Sequence, residues 1–231
     1  MKIDTYNMIR IGIMIVLGLS LILLGLKSAN AEGLSGPYIS GNLGLAVLPD
    51  FKYTINGGST KYDYINHNLG FGASFAGGYK KERFRIELEV ASSMVTHKEE
   101  YLDGGPLLPD MTLTGNTSII TVMGNVYLEF FDSEASTLVP YIGVGSGYVR
   151  LSTKKTLELF GVSTDQKINN NLLGAQGIVG LKYNMDEKSA ITFQWKGLIT
   201  QGPTFKIPGT TDLKYDAFYT NTFAVGVLYR F

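Results

Sequence analysis

Phe84-Arg85-Ile86-Glu87-Leu88-Glu89-Val90-Ala91 decides the fold. Phe84, Ile86, Leu88 and Val90 alternate with Arg85, Glu87, Glu89 and Ala91, so an extended chain puts every large apolar side chain on one face and every charge on the other. A helix of the same sequence would scatter both kinds around its circumference. Seven further runs share this period of two. They are Tyr38–Val47, Asn68–Lys80, Thr117–Phe130, Leu138–Leu151, Leu172–Tyr183, Ala190–Thr200 and Tyr219–Phe231; with Phe84–Val95 they make eight expected strands. Three glycines, Gly143, Gly145 and Gly147, blur the facing of the fifth run, where Ile142, Val144 and Tyr148 are expected to point outward.

Each run reaches the roughly 9–11 residues that a tilted strand needs to cross a bilayer. The connections alternate in length. Short ones are Lys81–Arg83, Phe131–Thr137 and Asn184–Ser189; long ones are Leu48–His67, Thr96–Asn116, Ser152–Asn171 and Gln201–Phe218. Short turns at one rim and four long loops at the other is the layout of an all-β, eight-stranded, antiparallel up-and-down transmembrane β-barrel. A soluble ligand-binding barrel has the same period, so the placement of charge must decide between them. Arg85, Glu87, Glu89, Glu129, Lys182, Lys196 and Arg230 all fall on the less apolar face. They are expected inside, as a paired charge network, because a buried charge without a partner is costly. The opposite face holds nearly all the large aliphatics and aromatics, a surface suited to lipid rather than water. Tyr79, Phe84, Phe130, Tyr183, Tyr229 and Phe231 gather at the short-turn rim, as an interfacial aromatic girdle does.

The N-terminus reads as an export signal. Lys2 and Arg10 precede an uncharged, mostly apolar run from Ile11 to Leu26, and Ala29-Asn30-Ala31 has the form of a cleavage site. The expected division is a signal peptide over 1–31 and a barrel over 32–231. Loss of Lys2, Arg10, Lys27 and Asp4 takes the cations from 20 to 17 and the anions from 20 to 19, leaving a slightly acidic chain. No basic field for nucleic acid exists, and with no Cys there is neither a disulfide nor a thiolate metal site.

The last strand, Phe223-Ala224-Val225-Gly226-Val227-Leu228-Tyr229-Arg230-Phe231, resembles the C-terminal signal by which outer-membrane barrels are recognised for assembly. Phe223, Val225, Val227, Tyr229 and Phe231 supply its apolar alternation and final aromatic. Pro37-Tyr38-Ile39-Ser40-Gly41, Arg85-Ile86-Glu87-Leu88-Glu89 and Pro140-Tyr141-Ile142-Gly143-Val144-Gly145 are similar to the rickettsial major-surface-antigen family, within the wider OmpA-like barrel group. The resemblance implies a bacterial outer-membrane location and a surface antigen, adhesin or small porin. The partners it implies are outer-membrane lipid and lipopolysaccharide, the barrel assembly machinery, and host-cell surface molecules met by the loops.

Catalysis is not expected. His67 and His97 sit near strand ends at the loop rim, and no base–nucleophile spacing accompanies them. Gly70-Phe71-Gly72 and Gly143-Val144-Gly145-Ser146-Gly147 open no helix, so they are not phosphate loops. Glu99, Glu100 and Asp103 are a solvated loop cluster rather than a metal site, and no cofactor is expected. The chain reads as a monomer, since a closed barrel leaves no edge to bury. Two functions remain open: a surface-interaction protein working through its loops, and a low-conductance pore.

Overall fold

A computed structural model describes residues 35–48, 52–55, 61–63, 69–97, 101–102, 105–106, 111–131, 136–159, 162–202, 204–205, 213–215 and 217–231. The expected signal peptide and His67 lie outside these residues. Eight strands form the barrel: β1 (Gly36–Val47), β2 (Leu69–Lys81), β3 (Phe84–His97), β4 (Met111–Glu129), β5 (Leu138–Leu159), β6 (Val162–Asn184), β7 (Ser189–Thr200) and β8 (Tyr219–Arg230). Each pairs antiparallel with its neighbours in sequence, and β1 closes the ring against β8 from Tyr38↔Arg230 to Val47↔Asn221. Closure satisfies the backbone of every strand within the wall, which hydrocarbon requires.

The alternation sets the facing strand by strand. Along β3, Phe84, Ile86, Leu88 and Val90 are exposed, while Arg85, Glu87 and Glu89 are buried. The outer face carries Leu43, Phe71, Phe75, Val126, Leu173, Phe193 and Val225, all exposed, as the belt that meets lipid. Ile142, Val144 and Tyr148 of β5 face outward, which resolves the run the glycines blurred. Those glycines point inward, and Gly143 shows why: a Cβ there would collide with the Tyr127 ring. Gly78 makes the same room for Tyr38, and Gly180 for Tyr141. Each inward tyrosine therefore lies over a glycine of an adjacent strand.

The turns at the short rim are built from local chemistry. Glu82 takes φ 54° in the two-residue link between β2 and β3, the left-handed region such hairpins favour. Between β6 and β7, the Asp186 carboxylate accepts the backbone N–H groups of Lys188 and Ser189 at 2.7 and 2.8 Å. These two bonds hold its pKa below the ordinary aspartate value.

The loop rim departs from the sequence reading. Ser152–Asn171 is not a long loop. β5 and β6 stay paired from Tyr183↔Leu138 up to Val162↔Leu159, so this connection is a hairpin rising above the rim. Met111–Asn116 of β4 joins it, pairing with β5 up to Met111↔Leu159. Polar residues such as Ser152, Thr153, Asn169 and Asn170 hid the continuation, because strands leaving a membrane no longer need one apolar face. β3 also runs on to His97, so the connection to β4 is shorter than expected. Between β1 and β2, and between β7 and β8, short strands pair across connections: Leu213–Tyr215 joins Thr204–Phe205 on one side and Lys52–Ile55 on the other, followed by Lys61–Asp63.

Candidate functional site

The barrel interior is the place where charge, burial and hydrogen bonding converge. At the short-turn end, Glu129 on β4 is fully buried and receives three cations from three other strands. Lys80 Nζ lies 2.8 Å from its carboxylate, Arg85 Nε 3.0 Å, and Lys182 Nζ 2.6 Å. The Arg85 guanidinium also sits over the rings of Tyr127, Tyr141 and Tyr38, at 4.4, 4.9 and 5.5 Å from their centroids. Cation–π contact offsets part of the cost of taking a guanidinium out of water.

One layer further in, Glu87 is held by neutral donors. Tyr38 Oη donates to it at 3.0 Å, Tyr127 Oη at 2.9 Å and Asn125 Nδ2 at 3.4 Å. Above it Lys196 pairs with Glu89, and Gln176 Nε2 donates to Asn125 Oδ1 at 2.7 Å. Across the barrel, Thr192 Oγ1 donates to Asn42 Oδ1 at 3.2 Å, and Asn42 Nδ2 to Ser74 Oγ at 3.1 Å. Tyr141 Oη donates to Gln194 Oε1 at 3.1 Å. The result is a cross-braced polar floor drawing on β1 to β7, seven of the eight strands.

Toward the loop rim the lining changes. Ala46, Leu48, Val95, Ile119, Met123, Val149, Leu151, Leu198 and Phe218 form one buried apolar cluster, with Leu172 packed against it. Between floor and cluster lies a cavity of about 60 Å³ bordered by Asn42, Ser74, Glu89, Gln176, Lys196 and Thr222. That exceeds the roughly 10–15 Å³ a cavity needs to hold a water.

All seven charged residues read from the sequence lie inside the barrel. Arg85, Glu129 and Lys182 share one cluster, and Glu89 meets Lys196. Among the described residues, Glu87 takes its hydrogen bonds from Tyr38, Tyr127 and Asn125 rather than from a cation. Arg230 is buried at the short rim, where its backbone N–H bonds Lys188 O at 2.8 Å. Lys80, Tyr38, Tyr127 and Tyr141 complete the site and were passed over in the sequence. Parity pointed to them: Tyr79, Ile39, Val126 and Ile142 face out, so their neighbours face in. Phe223, Val225, Val227, Tyr229 and Phe231 are exposed on the outer face. Of the aromatic girdle, Phe130 is half-buried and the other five are exposed. His97 ends β3, paired with Gly115, and its side chain lies outside the described residues.

The chain is 26% identical over 229 residues to the outer membrane protein PagN of Salmonella typhimurium, covering 88% of this chain and 93% of that one. Among solved structures, the outer membrane protease OmpT of Escherichia coli aligns with a TM-score of 0.54 at 7% identity, over 89% of this chain and 99% of that one. The outer membrane protein OprG of Pseudomonas aeruginosa aligns at 0.49 and 15% identity, over 87% and 100%. At such identities the OmpT likeness speaks to the fold alone. Residues 16–231 match the family model described as the outer membrane protein beta-barrel domain. The closed eight-stranded wall, its apolar belt and that match together place the chain in the bacterial outer membrane, as a member of the outer membrane protein beta-barrel domain family.

Proposed function

We propose that this barrel is a closed scaffold and that its function is surface interaction of the antigen or adhesin type, without catalysis. The observation that carries the reading is the apolar cluster around Met123, Leu151, Leu198 and Phe218, which fills the lumen above a floor of paired charges. An eight-stranded barrel is just wide enough for side chains to fill. An ion crossing this one would have to displace packed apolar side chains and then break buried ion pairs. That leaves the segments above the loop rim as the working surface, held in place by a rigid wall. The motif resemblance to rickettsial surface antigens supports the same reading.

In this account residues 1–31 are a cleaved export signal, and the apolar alternation of Phe223, Val225, Val227, Tyr229 and Phe231 is read by the barrel assembly machinery. Lipid and lipopolysaccharide surround the belt, host-cell surface molecules are the class of partner, and the barrel stands as a monomer in its own membrane. The second reading, a low-conductance pore, draws on the hydratable cavity beside Glu89 and Lys196.

Ionic conductance of the refolded protein in a planar bilayer separates the two. The expected result is a silent bilayer from protein whose folding is verified by a heat-sensitive gel shift. Discrete channels whose selectivity follows substitution of Glu89 or Lys196 would overturn the closed-scaffold reading.

A further inference from the structure

Among the described residues, the hairpin above the rim has one long strand edge without a partner strand. β6 pairs with β7 only from Gly174↔Thr200 downward, with one further bond from Gln201 N to Leu173 O at 3.3 Å. Among the described residues, no strand pairs with Val162–Leu172 on the side away from β5. The short strand Thr204–Phe205, which follows β7, pairs with Leu213–Tyr215 instead. The edge contains neither Pro nor Gly and only two charged residues, Asp165 and Lys167. Exposed edges in natural proteins are usually kept short or blunted by such residues, because they template pairing with another chain.

We propose that this edge pairs antiparallel with the same edge of a second copy standing in a facing membrane, centred on Gln166. Two independent features select that register. The first is backbone phase. The Leu173 carbonyl points to the β7 side, so in an antiparallel ladder the N–H and C=O groups of residues 163, 165, 167, 169 and 171 point to the open side as well. A two-fold centred on Gln166 sets 165 opposite 167, and 163 opposite 169, of the second copy. Open groups then meet open groups, for about eight interchain backbone bonds. A centre lying between two residues would set open groups against groups already spent on β5. The second feature is charge. Centring on Gln166 places Asp165 opposite Lys167 of the second copy, twice over, and centring on 164 or 168 does not.

Antiparallel pairing also fixes the geometry of the encounter. β6 descends from the hairpin tip toward its own membrane in every copy, so two copies in one membrane present parallel edges. Held in register, those would set Asp165 beside Asp165 and Lys167 beside Lys167. Antiparallel edges belong to barrels that point at each other. The gap between membranes is then at most about 50 Å, twice the seven residues from Gln166 to Leu173 at roughly 3.4 Å each. The inference deepens the surface-interaction reading and rests on it; its partner is this chain itself.

The test reconstitutes the full chain in zwitterionic phospholipid vesicles and measures vesicle tethering by light scattering and cryo-electron microscopy. Wild-type vesicles should tether. Asp165→Lys alone and Lys167→Asp alone should each lower tethering about tenfold, since each sets like charges opposite one another. Mixing the two variant populations should restore it, because every opposed pair is again of opposite sign. Asn169→Pro removes an open-side N–H without touching the β5 ladder; added to both variants, it should abolish the restored tethering. The inference is overturned if folded wild-type protein leaves vesicles dispersed, if either single variant tethers as wild type does, or if the mixture stays dispersed. It is equally overturned if the mixture tethers despite Asn169→Pro, which would mean simple attraction between oppositely charged vesicles. Dispersed vesicles together with a silent planar bilayer would remove this inference and leave the surface-interaction reading standing.

Discussion

At the short-turn end of the lumen, Glu129 gathers Lys80, Arg85 and Lys182 within 3.0 Å, and Glu87 takes hydrogen bonds from two tyrosines. At the loop end, Met123, Leu151, Leu198 and Phe218 pack against one another with no charged residue in the cluster. Both regions fill the same cylinder, lined by the same eight strands. The polar floor is held by directional contacts, and removing one member leaves its partners buried with a charge unmatched. The apolar cluster is held by packing, and trimming a member leaves space. The floor is therefore brittle and specific, while the cluster is tolerant in register. A barrel filled only with aliphatics would be easier to bury, yet nothing in it would fix which strand faces which.

That comparison breaks most sharply at Glu129. Glu129→Gln leaves three cations facing one another, and we expect a loss of about 3–5 kcal/mol, the range for removing one side of a buried ion pair. Urea unfolding in lipid, followed by the heat-sensitive gel shift, measures it; a loss under 1 kcal/mol would mean that water reaches the floor. Leu198→Ala tests the other region. Its expected cost is about 2–5 kcal/mol, toward the lower end where neighbours collapse into the space. Combined with Met123→Ala, it should join the cavity to the loop rim and produce small, noisy conductance where the parent barrel is silent. If stability falls and the bilayer stays silent, the floor is itself a complete seal.

The smallest effect sharpens the comparison from outside the lumen. Asp186 is exposed in a turn, and its carboxylate is favoured by two backbone N–H groups. Its folded pKa lies below the ordinary value, so its contribution is present above that value and disappears as the pH falls through the folded pKa. Asp186→Ala should lower the unfolding midpoint slightly at neutral pH. The difference should vanish in acid, as measured by denaturant titration at several pH values.

Most of the barrel is legible in the sequence. A strand facing lipid on one side must alternate, and β3 does so without exception from Phe84 to Val90. The inward set of charges followed from the same parity. The three buried tyrosines are legible in principle, because their neighbours Ile39, Val126 and Ile142 face out. The hairpin above the rim was not legible, because the constraint that writes alternation into a sequence ends where lipid ends.

The sequence by itself determined the number of membrane strands, the facing of all but β5 and the sorting of charge to the inside, since each is a local consequence of period two beside hydrocarbon. Only the tertiary structure decided which charges meet. Glu129 draws its three partners from β2, β3 and β6, and Glu87 is claimed by tyrosines of β1 and β4. The physical reason is closure: register and strand stagger bring residues about fifty positions apart to within 3 Å, and no local pattern encodes that distance.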